Sequence, residues 1–202
     1  MIENPNLESG RIVVVAGVPG VGKTTVLNET LKLCQQRGVN CIVVNYGTVM
    51  LEEAMSKKLV SHRDEMRKLP LDIQLNLQKL AAERIRAMAK SGNIIVDTHV
   101  LIKTPHGYLP GLPSWVVEAL RPNVIALIEA NVEEVLKRRL KDSEVRVREV
   151  DATEALREHQ ELNRSAALST ATLVGATVAI IENREGKVSE AAEQLFKLIV
   201  EE

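Results

Sequence analysis

The chain is poor in aromatic residues and contains no long hydrophobic run. Phe, Trp and Tyr make up 2% of its 202 residues, which argues against a stacking platform for single-stranded nucleic acid. No apolar run approaches the roughly 20 residues that cross a bilayer, and the stretch from Met1 to Arg11 is polar, unlike a signal peptide. We therefore expect a cytoplasmic protein that binds neither nucleic acid nor a membrane.

The chain also lacks a large net charge and the patterns of a protein-built metal site. Its 26 basic and 27 acidic residues nearly cancel, so no global field favours an anionic partner. The two cysteines, Cys34 and Cys41, do not have the paired spacing of a zinc site, and the four histidines form no H-x-H or H-E-x-x-H pattern. We expect both cysteines to be small core residues and no protein-bound zinc.

Five apolar, β-branched runs predict buried strands, and helical patterns separate them. The runs cover residues 12–16, 41–44, 94–96, 124–128 and 178–181, and a last helix is expected over 189–200. Alternating strands and helices predict an α/β fold, a parallel sheet with helices on both faces that binds ligands at the carboxyl ends of its strands. A length of 202 residues fits one such domain.

The most informative motif follows the first predicted strand directly. Gly17-Val18-Pro19-Gly20-Val21-Gly22-Lys23-Thr24 fits G-x-x-x-x-G-K-[ST]. The glycines let backbone N–H groups approach phosphate oxygens, Lys23 can reach the β- and γ-phosphates, and the Thr24 hydroxyl can ligate Mg²⁺. The helix that begins with Thr24 and Thr25 adds the positive end of its dipole. The sequence predicts that residues 17–25 bind a nucleoside triphosphate with its Mg²⁺.

Two further charged features accompany this motif. Asp97 ends the third predicted strand, at the edge where the triphosphate should lie, and we expect it to support Mg²⁺ directly or through water. Six of the twelve residues from 137 to 148 are cationic, namely Lys137, Arg138, Arg139, Lys141, Arg146 and Arg148. Cations at 138 and 139 also suit the negative end of a helix dipole. We expect Arg138, Arg146 and Arg148 to close over the transferring phosphoryl group, beside Lys23.

Two polar insertions interrupt the alternation, at about 46–71 and about 141–151. Long excursions in a compact domain are usually functional, although a solvated surface loop is the alternative for each. Arg63 and Arg67 are four residues apart, so on a helix they would share a face and could bind one phosphate. Pairing of Arg63 with the neighbouring Asp64 or Glu65 is the structural alternative. The segment 104–113 is rich in proline and glycine and predicts a shaped loop near the acceptor.

The choice of acceptor depends on a general base, and none is evident apart from Asp97. A hydroxyl acceptor profits from such a base, whereas a phosphate acceptor is already ionised and needs mainly positioning and charge. A chain with many candidate arginines and no evident general base besides Asp97 therefore favours phosphoryl transfer to a phosphate. Another small P-loop kinase acting on a different monophosphate or a small metabolite is the alternative. A GTP-dependent switch is a weaker one, because Asn183-Arg184-Glu185-Gly186 lacks the lysine and the aspartate of N-K-x-D.

Several segments together resemble the archaeal adenylate kinases. They are the glycine motif through Thr25, Asn45-Tyr46-Gly47, His62-Arg63-Asp64-Glu65-Met66-Arg67, Val96-Asp97-Thr98-His99, Gly107-Tyr108-Leu109-Pro110-Gly111-Leu112-Pro113, Arg138-Arg139, and His159-Gln160 to Asn163-Arg164. The resemblance runs from about Arg11 to the C-terminus. It implies the reaction MgATP + AMP ⇌ 2 ADP, a three-layer α/β/α P-loop fold and a homotrimer.

The resemblance also implies how the single domain is divided. A core of residues 1–45, 72–140 and 152–202 would carry an AMP-binding insertion at 46–71 and a short lid at 141–151. The residues expected to bind AMP are Tyr46, Gly47, Arg63, Arg67 and Tyr108. The commoner adenylate kinases carry D-G-[FY]-P-R after the third strand, where this chain has Asp97-Thr98-His99-Val100-Leu101. The arginine of that motif has no counterpart here, and a lid without cysteines cannot bind zinc.

Overall fold

The computed structural model describes residues 10–142 and 153–201, with side chains over 10–138 and 153–201. Its strands are β1 (Ile12–Ala16), β2 (Cys41–Asn45), β3 (Asn93–Asp97), β4 (Leu101–Thr104), β5 (Gly107–Pro110), β6 (Val124–Glu129) and β7 (Thr177–Glu182). Five of them form one sheet in the order β2-β3-β1-β6-β7, with every pair parallel, while β4 and β5 form a separate antiparallel hairpin. The predicted α/β fold with a five-stranded parallel sheet is confirmed.

The helices of the described residues cover both faces of this sheet. They are α1 (Lys23–Gln36), α2 (Tyr46–Ser56), α3 (Arg63–Met66), α4 (Leu71–Met88), α5 (Ser114–Leu120), α6 (Val132–Asp142), α7 (Thr153–Thr172) and α8 (Val188–Val200), with a 3-10 turn at Ala89–Ser91. Buried residues of α1, α6 and α8 pack on one face and those of α2, α4 and α5 on the other, while α7 contributes to both cores, with Leu156 in the first and Ala167 and Ala171 in the second. These are the three α/β/α layers that the sequence predicted.

Strand β1 lies at the centre of both cores. Val13 and Val15 belong to the core under α1 and α8, whereas Ile12, Val14 and Ala16 belong to the opposite core. All five residues are buried, as expected for a parallel strand covered on both faces. The residues that follow Ala16 therefore leave the central strand of the sheet at its carboxyl edge.

The structure differs from the sequence prediction in two segments. The insertion at 46–71 is largely helical, because Ala54, Val60, Met66 and Leu77 form a small apolar core of their own beneath α2 and α3. The segment 104–113 is not only a loop, since it supplies the turn and second strand of the β4–β5 hairpin. Pro110 ends that strand, where a missing N–H costs nothing. No helix among the described residues has the length and apolar character of a membrane span.

Candidate nucleotide-binding site

Residues 17–22 connect β1 to α1 and are fixed to the sheet by close packing. A Cβ at Gly17 would lie 2.4 Å from the carbonyl oxygen of Ile128, so only glycine fits against the end of β6. Val18 and Val21 are buried in the core. Gly22 caps α1 with a φ of 84°, which is in the left-handed region that glycine adopts without strain. The loop therefore turns sharply into the N-terminus of α1 and presents backbone groups there.

Lys23 and Asp97 meet at the carboxyl edge of the sheet. The Lys23 ammonium forms an ion pair with Asp97 Oδ1 and donates a hydrogen bond to the backbone oxygen of Thr98 at 2.8 Å. Asn45 Nδ2 donates to the other carboxylate oxygen, Asp97 Oδ2, at 3.1 Å. Parallel pairing sets this geometry, because Asn45 of β2 lies in register with Asp97 of β3. The lysine of the glycine motif and the predicted Mg²⁺ carboxylate thus lie in contact.

Two hydroxyl residues follow Lys23 directly in the chain. Thr24 and Thr25 begin α1 and are exposed. Hydroxyl and carboxylate oxygens are the hard ligands that Mg²⁺ prefers, and the ion usually keeps several waters. Among the described residues no group of three or more His, Cys, Asp or Glu side chains could hold a metal. The donor set of Thr24 and Asp97 therefore fits a Mg²⁺ that is carried in by a nucleotide.

His99 lies beyond Asp97 and next to the glycine motif. Desolvation of its inner side lowers the pKa of the imidazole, and the positive charge of Lys23 lowers it further, although the charge of Asp97 opposes both. Beside the Lys23 ammonium these effects favour the neutral form of the imidazole.

Arg138 contacts the glycine motif from the opposite side. Its Nη1 donates to the backbone oxygen of Val21 at 3.1 Å, and its Nη2 donates to Glu134 at 2.9 Å and to the backbone oxygen of Asn183 at 3.3 Å. A role at the transferring phosphoryl group requires Arg138 to exchange some of these partners. The side chain of Arg139 and all of Arg146 and Arg148 lie outside the described residues.

Tyr46 has a buried structural environment in the insertion. Its side chain is 6% exposed and its hydroxyl donates to the backbone oxygen of Gln78 on α4. Burial raises the pKa of this hydroxyl. Packing of α2 against α4 accounts for the tyrosine, and its contact with AMP stays a prediction.

The two arginines of the insertion are exposed and carry no carboxylate partner within the described residues. A Cβ at Gly47 would lie 3.0 Å from Arg63 Nη2, and the same nitrogen lies 3.5 Å from the Thr48 hydroxyl. Arg63 begins the short helix α3, and Arg67 follows its last residue in helical conformation. The structural alternative required Arg63 to pair with Asp64 or Glu65, and the structure shows neither pair. Phosphate binding by the two arginines stays a prediction.

Tyr108 lies on the β4–β5 hairpin against helix α7. Its ring centroid is 5.0 Å from that of His159, which is 4% exposed. The next residues of the helix hold the sheet edge: the Gln160 amide bonds both backbone groups of Ala130, and Asn163 Oδ1 accepts from Leu101 N at 3.1 Å. Arg164 makes a bidentate ion pair with Glu129. The segment His159 to Arg164 thus joins the hairpin to the end of β6.

Sequence reasoning missed three groups at this site. The Thr98 carbonyl binds Lys23, Asn45 binds Asp97, and Asn183 donates from Nδ2 to the Val21 carbonyl at 2.7 Å. A backbone acceptor gives no signal in a sequence. Asn45 stands directly after the second predicted strand and Asn183 two residues after the fifth, and that position at the ligand-binding edge was the available signal.

Known proteins with similar sequences were compared with the chain. A family model described as an AAA domain matches residues 16–157, which is more than half of the chain. The adenylate kinase of Methanocaldococcus jannaschii is 50% identical over 94% of this chain and 98% of its own length. The adenylate kinase of Methanopyrus kandleri is 52% identical over 94% of this chain and 98% of its own.

A solved structure extends the comparison to the fold. Shikimate kinase from Acinetobacter baumannii, in complex with shikimate, superposes with a TM-score of 0.56 at 17% identity and covers 96% of this chain and 94% of its own. At that identity the likeness concerns the fold alone. The sequence relatives go further, because they match nearly the full chain at about half of its positions, and they confirm the predicted resemblance and the predicted adenylate kinase activity. The chain therefore belongs to the AAA-domain family and, more narrowly, to the adenylate kinase family.

Proposed function

We propose that this site transfers the γ-phosphoryl group of MgATP reversibly to AMP, giving two ADP. The observation that carries the proposal is the contact of Lys23 with Asp97 at the end of the glycine motif. This contact brings the cation of the glycine motif and a carboxylate together at the carboxyl edge, which supports a phosphate-binding role for Lys23 and a Mg²⁺ role for Asp97. The sequence relatives, which are named adenylate kinases, supply the acceptor.

The donor half of the site consists of residues 17–25 and Asp97. Backbone N–H groups of the loop bind the phosphates, and Lys23 leaves Asp97 and Thr98 O to bind the β- and γ-phosphoryl oxygens. Thr24 and Asp97 hold Mg²⁺, Asp97 directly or through water. The ion offsets negative charge on the phosphates when the nucleotide is bound. Because the phosphate of AMP is ionised near pH 7, positioning and charge are sufficient for its attack.

The acceptor half consists of the insertion and the hairpin. Arg63 and Arg67 bind the AMP phosphate, while Tyr46, Gly47 and Tyr108 border the nucleoside. Two guanidinium groups without carboxylate partners in the described part of the chain support this assignment. Arg138, Arg146 and Arg148 close over the transferring group, so the segment 141–151 serves as the lid and 46–71 as the AMP-binding unit of one domain.

We also propose that the chain is a cytoplasmic homotrimer. Ile102 and Leu109 face each other across the hairpin and are 41% and 56% exposed. An apolar pair of this kind offers a contact surface to a second copy. Light scattering after size exclusion tests the assembly, and a monomeric mass at micromolar concentration would overturn it.

Phosphoryl transfer from MgATP to AMP, CMP, GMP and UMP in coupled assays tests the reaction. We expect turnover with AMP to exceed turnover with each of the others at least tenfold, and to stop when a chelator removes Mg²⁺. Little or no turnover with AMP would overturn the proposal in favour of another small kinase. Tight GTP binding without transfer to any monophosphate would favour a switch.

A further inference from the structure

The carbonyl oxygen of Val21 accepts two side-chain hydrogen bonds. Asn183 Nδ2 donates at 2.7 Å and Arg138 Nη1 at 3.1 Å. Asn183 is 5% exposed, so its amide is shielded from water and strongly held. Two donors on one backbone acceptor, one residue before Gly22, fix the orientation of the Val21–Gly22 peptide.

The orientation of this peptide decides where its N–H points. The described chain has no cis peptide bond, and in a trans peptide the C=O and N–H directions are opposed. Holding the carbonyl on the Asn183 side therefore turns the Gly22 N–H to the other side of the loop. Among the described residues no acceptor takes that N–H. It is available to a ligand oxygen at the start of α1.

The donor itself is mounted on the sheet. The backbone N–H of Asn183 donates to the Glu129 carbonyl at 2.7 Å, which continues the pairing of β6 with β7. The fit to the loop is close, because a Cβ at Gly22 would lie 2.5 Å from Asn183 Nδ2. The absence of a side chain at 22 thus makes room for the Asn183 amide as well as for the backbone conformation.

We propose that Asn183 is a positioning residue for the donor nucleotide: it holds the Val21–Gly22 peptide so that the Gly22 N–H faces the phosphates. The inference rests on the proposed function, since it assumes that ATP phosphates occupy the loop. It also assigns a role to Asn183, which stands at the asparagine position of N-K-x-D in a segment that lacks the rest of that guanine-binding motif. Its side chain is committed to the loop, not to a guanine base.

Asn183→Asp and Asn183→Ala test the assignment. The aspartate keeps the shape but replaces the donor, whereas alanine removes the group without adding charge. We expect the KM for ATP to rise at least tenfold in Asn183→Asp and at least fivefold in Asn183→Ala. The KM for AMP should stay within twofold of wild type, because a lost phosphate-binding amide removes binding of the donor alone.

Asn123→Ala is the matched control. Asn123 also joins a strand backbone through its side chain, accepting from Ile12 N at 2.8 Å, but at the opposite edge of the sheet. We expect both KM values within twofold of wild type in this variant. The inference is overturned if the ATP KM of both Asn183 variants stays within twofold, or if the KM values for ATP and AMP rise together. Failure of the proposed function would instead appear as absent AMP turnover in wild type.

Discussion

Lys23→Met should remove phosphoryl transfer and leave the fold largely intact. In the structure the Lys23 ammonium binds Asp97 and the Thr98 carbonyl, and in the proposed reaction it binds the phosphates. Methionine retains the length and apolar stem of the side chain without its charge. The variant therefore separates the electrostatic role of Lys23 from its packing.

The expected loss of stability follows from the two lost contacts. The hydrogen bond to Thr98 O contributes about 1 kcal/mol. The side chains of Lys23 and Asp97 are 15% and 22% exposed, so the ion pair lies between exposed pairs, at about 0 to 1 kcal/mol, and buried pairs, at about 3 to 5. A total near 2 kcal/mol corresponds to a fall in Tm of roughly 4 to 8 °C for a chain of this length.

The expected loss of activity is larger. Removing one preorganised donor from a site of developing charge lowers kcat by about 100- to 1000-fold, and a full positive charge should contribute at least as much. We expect kcat/KM for ATP to fall about 1000-fold, which corresponds to about 4 kcal/mol of transition-state stabilisation. A coupled ADP assay run well below the Tm of the variant measures this without interference from unfolding.

Lys32→Met is the control on the same helix. Lys32 is 64% exposed and pairs with Glu29 at 2.9 Å, away from the site. The Lys32→Met variant therefore also loses an ion pair, but not one at the site. Its turnover should equal that of wild type. If Lys23→Met retains more than about a tenth of wild-type kcat/KM while it is folded, the assignment of Lys23 to the phosphates is refuted.

Three further predictions concern the lid, the half-buried thiol of Cys41 and the core of the insertion. Arg148→Ala should lower kcat at least tenfold and change the KM for AMP less than threefold, because a lid cation acts on the transition state; a change in AMP KM alone would assign Arg148 to the acceptor site. Desolvation raises the pKa of the Cys41 thiol from 9.0 to about 12, so the folded state keeps a proton that the unfolded state releases. The associated stability is complete below about pH 9 and is lost as the pH rises towards 12; urea unfolding should show a smaller fall between about pH 8 and about pH 11 in Cys41→Ala than in wild type, and equal falls would contradict the shift. Leu77→Ala should reduce the free energy of unfolding by about 2 to 5 kcal/mol, because Leu77 is 1% exposed in the small core beneath the insertion. Leu71→Ala on the same helix, 71% exposed, should change it by less than about 0.5 kcal/mol, and similar losses in the two variants would contradict the packing.

The sheet could be predicted from the sequence because a strand covered on both faces leaves a continuous hydrophobic run, which is a strong local signal. Each predicted run lies inside an observed strand of the five-stranded sheet. The β4–β5 hairpin was missed because Pro105, Gly107 and Pro110 interrupt the alternation that marks a strand. The helices of the insertion were also missed, since their apolar residues bury against Leu77 of another element. Such long-range packing leaves only a weak local pattern.

The site was predictable where one residue type has one chemical role. The contact of Lys23 with Asp97 follows from a glycine motif after β1 and a carboxylate at the end of β3. Asn183 could not be assigned in this way, because an asparagine at the end of a strand serves equally as a turn residue, a base-binding group or a backbone donor. Its hydrogen bond to Val21 depends on two loops that are 162 residues apart in sequence.

The presence or absence of ion pairs at the cations supports a site for two nucleotides better than the spacing of the arginines in the sequence does. Lys23 contacts Asp97 and Arg138 contacts Glu134, so these cations are partly neutralised before a ligand binds. Arg63 has no such partner in the described part of the chain, although the carboxylates of Asp64 and Glu65 are its neighbours in sequence; Glu65 is engaged by the Ser61 N–H and by His62. A guanidinium without a carboxylate partner can bind an anion without first breaking an ion pair. The spacing of Arg63 and Arg67 was equally compatible with local pairing, whereas this arrangement favours an external phosphate at the insertion.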